Sequence, residues 1–241
     1  MSKLAPAAIL NGTAYIAGFS LENSSKVTVS TSYEEKTLPN YQGGGGNDDS
    51  FKRLTACTIA LDARNVSLKT LEVAFGGTGT AILATAITGE AHVAGEPGAL
   101  IEIDSLQDMS ASLVVEDSAS GVLAEGVDYI RKRGGIIPIE GGGITKGDDL
   151  TFDYTRNKGA ILQALLRSAW EADLFFDGIN ERDGQPWIGK FFRVNWSPAD
   201  NFELIGDDFA TFSISGEVLR DETRTGVGES QFFEIRVGSL N

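Results

Sequence analysis

Apolar and polar residues alternate with period two along several stretches of the chain, and the clearest of them predict half-buried β-strands. In residues 54–64, Cys57, Ile59 and Leu61 fall on one face and Thr58 and Asp62 on the other. Residues 170–177 set Trp170, Ala172, Leu174 and Phe176 against Glu171 and Asp173. After the turn-rich NERDGQ, residues 187–196 predict another strand, which Ser197-Pro198 ends. Residues 209–219 predict a further one, with Ala210, Phe212, Ile214 and Val218 opposed to Thr211, Ser213, Ser215 and Glu217. Residues 27–33 read as an early strand and 231–237 as the last. The segments 54–64, 170–177, 188–196 and 209–219 share one design and could form a single sheet.

Other periods are rarer. Ser67 is placed to N-cap a short helix whose Leu68, Leu71 and Phe75 lie at i, i+3 and i+7, and Gly76-Gly77 supply a left-handed stop. In residues 160–169, Ile161, Leu165 and Ala169 have helical spacing. The switch to period two directly afterwards favours an extended reading, with helix as the alternative. Residues 34–49 dissolve into turn residues and include four consecutive glycines, Gly43, Gly44, Gly45 and Gly46. Such a run is costly to order and calls for a partner surface, which points to assembly. Residues 78–150 carry short β-like runs at 99–103, 112–116 and 136–139 between Gly, Asp and Ser turns, and read as an inserted β-rich region.

Composition narrows the chemistry. A chain of 241 residues can bury a full core as one large β domain or two smaller ones. Its 20 basic and 34 acidic residues, a net charge of -14, lack the basic footprint of a nucleic-acid binder. The single cysteine, Cys57, allows no intrachain disulfide and reads as an inert core thiol made in a reducing compartment. The first 18 residues, broken by Pro6, Asn11 and Gly12, fall short of a signal peptide or a spanning helix, so the chain reads as cytosolic when made.

Catalytic motifs are missing. His92 is the single histidine and has no partner pattern around it, which leaves no triad or His-rich metal site. QGGGGNDDS and GGGITKGDD lack the ending of a phosphate loop, and GGTGTAI lacks the third glycine of a dinucleotide fingerprint. The pairs Asp48-Asp49, Asp148-Asp149 and Asp207-Asp208 lack calcium-loop spacing. No enzyme activity, cofactor or metal is expected.

The order of arm, strand and capped helix in residues 37–75, TLPNYQGGGGNDDSFKRLTACTIALDARNVSLKTLEVAF, followed by FFDGINERDGQPW and LIGDDFATFSISGEVLRD, resembles phage tail tube proteins, whose subunits stack as rings into a hollow tail. The resemblance covers residues 27–77 and 150–221. It implies a mainly β fold, an antiparallel β-sandwich or barrel with one short flanking α-helix, assembling into a hexameric ring around a continuous inner β-barrel. Residues 1–77 and 151–241 would form the tube core, with an arm at 34–53, and residues 78–150 an outer decoration. Four strands from each of six subunits, spaced about 4.8 Å and tilted about 45°, enclose a backbone diameter of roughly 50 Å and leave a bore of roughly 40 Å.

On this reading the interface arm comprises Asn40, Tyr41, Gln42, Gly43, Gly44, Gly45, Gly46 and Asn47, and the lumen-facing candidates are Thr58, Asp62, Glu171, Asp173, Arg193, Asn195, Thr211, Ser213, Ser215 and Glu217. Alternation shows two faces and leaves open which of them lines the channel. The implied partners are further copies of the chain, tail terminator, tape measure and baseplate or tail-tip proteins, and double-stranded DNA that passes without specific binding. No membrane partner is implied. The protein would be made in the host cytoplasm and reside in the virion tail. A β-rich binding module, such as a tail-fibre or carbohydrate-binding domain, and a secretion-system tube of the same architecture are the alternatives.

Overall fold

The computed structural model describes residues 8–64, 66–202, 204–209 and 211–238. In chain order the elements are β1 (Leu10–Ile16), β2 (Phe19–Ser20), β3 (Ser24–Pro39), β4 (Asn47–Ala63), α1 (Leu68–Ala74), β5 (Thr78–Ile82), β6 (Thr85–Val93), β7 (Ile101–Glu102) and β8 (Leu113–Asp117). They continue with β9 (Gly121–Leu123), β10 (Tyr129–Lys132), β11 (Gly135–Pro138), β12 (Asp149–Arg156), β13 (Gly159–Gln163), β14 (Trp170–Asn180), β15 (Pro186–Trp196), β16 (Phe212–Val218) and β17 (Phe233–Val237). The fold is mainly β with antiparallel sheets and, among the described residues, one helix. No helix among them is long and apolar enough to cross a membrane.

The chain divides into two compact units, Met1–Gly79 with Leu162–Asn241, and Thr80–Ile161. The first is built on an eight-stranded sheet in the order β2-β1-β14-β15-β16-β4-β3, with β17 also paired to β15. The four strands that share one design in the sequence are therefore neighbours, β14-β15-β16-β4. Their apolar faces supply most of the core: Ile59 and Leu61 from β4, Leu174 from β14, Trp196 from β15, and Phe212 and Ile214 from β16, all buried. β16 follows strict alternation, each odd side chain from Ser213 to Glu217 exposed and each even residue buried. It begins at Phe212; Phe209 lies before it and is exposed, and Ala210 lies outside the described residues. Gly216 is required within it, because a Cβ there would meet the Val194 side chain at 2.7 Å and the Trp196 ring at 3.1 Å.

β15 does not keep a single phase. Its register with β14 shifts between Ala172 and Leu174, so Phe192 and Arg193 together face Asp173, and burial switches from Gly189 and Phe191 to Val194 and Trp196. This bulge sits where the strand changes partners, from β17 along Trp187–Phe191 to β16 along Val194–Trp196.

Ser67 caps α1 as expected, its side-chain oxygen accepting the Thr70 N–H at 3.1 Å, and Gly76 takes a φ of +55° just past the end. Of the expected stripe, Phe75 packs against the core, whereas Leu68 and Leu71 are half-buried. Thr70 and Ala74 are buried, Val73 and Phe75 pack against the core, and Leu68 covers Gly79. Small residues face inward because the helix lies close to the chain beneath it, with the Ala199 N–H bonding the Ala74 carbonyl at 2.6 Å.

Residues 34–49 correct the sequence reading. β3 runs unbroken to Pro39 and β4 begins at Asn47, so the arm is the outer part of one long antiparallel hairpin. The alternation was hidden because both faces there carry charged residues that pair across the strands, Glu34 with Arg53 at 2.6 Å and Glu35 with Lys52 at 3.3 Å. Of residues 160–169, those up to Gln163 are extended in β13 and the rest are irregular, with Leu165 turning at a φ of +58° while its N–H bonds the Phe75 carbonyl at 2.9 Å. Tertiary contact overrides helix propensity there.

The second unit has its own core, including Ile101, Val115, Tyr129, Ile136, Leu150 and Phe152, between a sheet ordered β6-β12-β8-β9 and one ordered β10-β11-β7. It extends past the 78–150 segment marked in the sequence, since β12 is the central strand between β6 and β8. β5 and β13, at its two ends, pair with each other.

Candidate assembly surfaces

The polar face of the β14-β15-β16-β4 sheet gathers most of the lumen-facing candidates. Directly opposed residues in an antiparallel ladder lie on one face. Thr58 opposes Glu217, Glu217 opposes Asn195, and Asn195 opposes Glu171, so side chains up to 159 positions apart line up in one row across four strands. Ser213 opposes Asp62 and donates its hydroxyl to that carboxylate at 2.5 Å, while Ser215 opposes Ala60. Asp173 sits opposite the β15 bulge at the edge of this group. Thr211 precedes β16, is half-buried, and donates to the Phe209 carbonyl at 3.4 Å.

Arg193 is the single cation among these candidates, and it is paired. Its Nε and Nη2 donate to the two Glu171 carboxylate oxygens at 2.7 and 2.9 Å, a bidentate clamp. The hydrogen bond from Arg193 holds the Glu171 carboxyl below its usual range, and Glu171 in turn raises Arg193. The remaining charges in the set are Asp62, Asp173 and Glu217, with Lys26 opposite Asp62 on β3. The face offers mainly hydroxyls and carboxylates, with Lys26 of β3 and Lys190 of β15, opposite Phe175, as its further basic side chains. Periodicity finds this face, but not the bulge that puts Phe192 beside Arg193 on it.

The second surface is the outer hairpin. β16 pairs with β4 only over residues 58–63, so from Cys57 towards the tip β3 and β4 form a two-stranded ribbon without further strand partners among the described residues. Tyr33, Leu38, Tyr41 and Phe51 are exposed along it, Tyr41 at 86%. Tyr33 lies on the face that Val27 and Val29 begin, Leu38 and Phe51 on the opposite one. At the tip, Asn40 organises the loop: its N–H bonds the Gly46 carbonyl at 3.1 Å, its carboxamide oxygen accepts from the Gln42 N–H at 2.8 Å, and its amide donates to the Gly43 carbonyl at 3.1 Å. Gly43 to Gly46 all have φ between +74° and +95°, which explains why the tip is glycine. Asn47 is the first residue of β4. The arm candidates thus stay together as one exposed tip.

Cys57 is buried in β4 and unpaired, and burial pushes its thiol up, in keeping with an inert core residue. His92, for which the sequence shows no partner pattern, has Glu90, two residues before it on β6, within hydrogen-bond distance.

The chain belongs to the family described as Protein of unknown function UCP028589, whose model matches residues 9–236. No curated protein matches the chain.

Proposed function

We propose that the chain is a structural subunit that closes into hexameric rings and stacks them into a hollow tube, the architecture of a long-tailed phage tail through which DNA leaves the virion. The observation that carries this reading is the row Thr58, Glu217, Asn195 and Glu171: a polar row runs across four adjacent strands, with Arg193 clamped to Glu171. A channel lining that lets a polyanion slide needs that chemistry. The open sheet edges support it. Among the described residues β3 has no strand partner on its outer side, and at the other end of the sheet β1 is covered only at Tyr15 and Ile16 by the two-residue β2. Edges of this kind are protected when neighbouring subunits pair across them, and six-fold rotation closes such a ring.

Stacking falls to the β3–β4 ribbon. It projects unpaired backbone and the exposed side chains of Tyr33, Tyr41 and Phe51, and a head-to-tail contact of this kind propagates along an axis until other proteins cap it. Terminator, tape-measure and tip proteins are the capping partners this reading requires. Catalysis has no part in the mechanism.

Negative-stain electron microscopy at rising concentration, with light scattering on the same samples, tests the proposal. Six-fold rings or hollow tubes are expected. A chain that stays monomeric at every concentration and salt overturns self-assembly and favours a β-rich binding module. Deleting residues 42–48 separates the two surfaces: the subunit should keep its fold and its mass as a ring but fail to stack. Tubes of normal length from that variant would remove the ribbon from the mechanism.

A further inference from the structure

Glu90 and His92 are two residues apart on β6 and therefore share a face, the one on which their β12 partners Phe152 and Leu150 are buried. His92 stands edge-on to the Phe152 ring at a centroid distance of 5.5 Å, which holds the imidazole against an apolar wall. Glu90 Oε1 lies 2.7 Å from His92 Nε2 and accepts the Asp104 backbone N–H at 2.8 Å, while Oε2 accepts the Tyr154 hydroxyl at 2.7 Å. That backbone bond carries a third side chain to the same place. One donor atom from each of Glu90, His92 and Asp104 lies within 4.8 Å of the others, with Glu90 and His92 half-buried and Asp104 exposed.

We propose that Glu90, His92 and Asp104 form a site for a divalent transition-metal ion of the zinc class, with water completing its coordination. An imidazole nitrogen selects against magnesium and calcium, which prefer all-oxygen shells, and two carboxylates balance a doubly charged ion. Tyr154 acts as the outer partner that orients the Glu90 carboxylate. Glu90 is prepared for the role. The Tyr154 hydroxyl and the Asp104 N–H, each donating to one of its oxygens, fix the carboxylate in place beside His92. The exposed Asp104 leaves an entry path from solvent.

Binding needs a small rearrangement: the Nε2 that lies against Glu90 without the ion presents its lone pair to the metal, with the ring proton carried on Nδ1. Two bonds of about 2.1 Å at a tetrahedral angle separate the donor atoms by roughly 3.4 Å. His92 must therefore draw back from the 2.7 Å of its hydrogen bond to Glu90. This site is independent of tube assembly.

Cobalt(II) is the probe, added to the metal-free full chain and followed by its visible ligand-field absorption, with zinc as competitor. One equivalent should bind, with the intense bands of a four- or five-coordinate site, and zinc should displace it. His92→Gln should weaken binding at least 100-fold. Asp104→Asn, at an exposed position that spares the fold, should weaken it clearly, and Tyr154→Phe should cost about 10- to 100-fold. Asp149→Asn, outside the cluster, should change nothing. Absence of any spectral change at millimolar cobalt, or a titration unaltered in both His92→Gln and Asp104→Asn, overturns the proposal and leaves Glu90 and His92 as a hydrogen-bonded pair only.

Discussion

The two halves of the β3–β4 hairpin are one continuous ladder with two different sources of order. Near its base, Cys57, Ile59, Leu61 and Ala63 are buried at 3% exposure or less, and β16 covers the second edge of β4. Beyond Cys57 the same ladder continues through Pro39 and Asn47, yet nearly every side chain is exposed, and cross-strand pairs such as Glu34 with Arg53 stand where the base has a core. Hydrogen bonding is alike in both halves; burial is not. A two-stranded ribbon is marginal in water by itself. The base is thus ordered by the subunit's own core, and the ribbon is the part with surface left over for a partner.

The largest expected effect breaks the base. Ile59→Ala should destabilise the folded chain by about 2–5 kcal/mol in chemical denaturation, because it leaves a cavity among residues with no room to collapse. Overpacking comes next: Gly216→Val should cost about 1–3 kcal/mol, since its side chain must displace Val194 or Trp196.

The ribbon should respond in the opposite sense. Replacing Tyr33 and Phe51 together with serine should move subunit stability by no more than about 0.5 kcal/mol per site, as expected of exposed residues. The same variant should lose stacked assemblies in the electron microscope. A large stability loss there would show that the ribbon is held by the core after all. Hydrogen exchange sharpens the contrast further: amides of residues 33–38 and 49–54 should exchange well before those of residues 59–63 in the unassembled subunit, and the difference should close on assembly.

The smallest effect concerns Cys57, at the junction of the halves. Burial raises its thiol pKa, so the folded state holds its proton where the unfolded state has already released it. That contribution is complete below the ordinary thiol pKa and is lost as pH rises through the folded value. Wild type should therefore lose slightly more stability than Cys57→Ser across alkaline pH, and a thiol reagent should label the native chain far more slowly than the unfolded one.

Alternation was enough to read both faces of β16 and the inner half of β4, because one face is buried against a single core and period two leaves no ambiguity there. It failed along residues 34–39 and 47–53, where both faces meet water and the strand pattern carries no hydrophobic signal. It placed Arg193 on the polar face correctly but missed the bulge that sets Phe192 beside it, because nothing local announces a shift of phase by one residue. The face of α1 was misread for a related reason: close packing selected Thr70 and Ala74 over the larger Leu68 and Leu71. Asp104 could not be linked to Glu90 and His92 from spacing, since a backbone hydrogen bond across 14 positions brings it there.

By itself the sequence determined the mainly β character, the capped helix between Ser67 and Gly76, the acidic balance and the two-faced strands, all of which follow from local periodicity, capping chemistry and composition. Tertiary structure alone decided which strands are neighbours, how far the hairpin reaches, where the β15 phase shifts, and which distant carboxylates and hydroxyls share a row. The pairing of β4 with β16 joins segments more than a hundred residues apart, and the hairpin and the β15 shift join nearer strands. In each case register is set by the partner strand and the shared core, which no local pattern encodes.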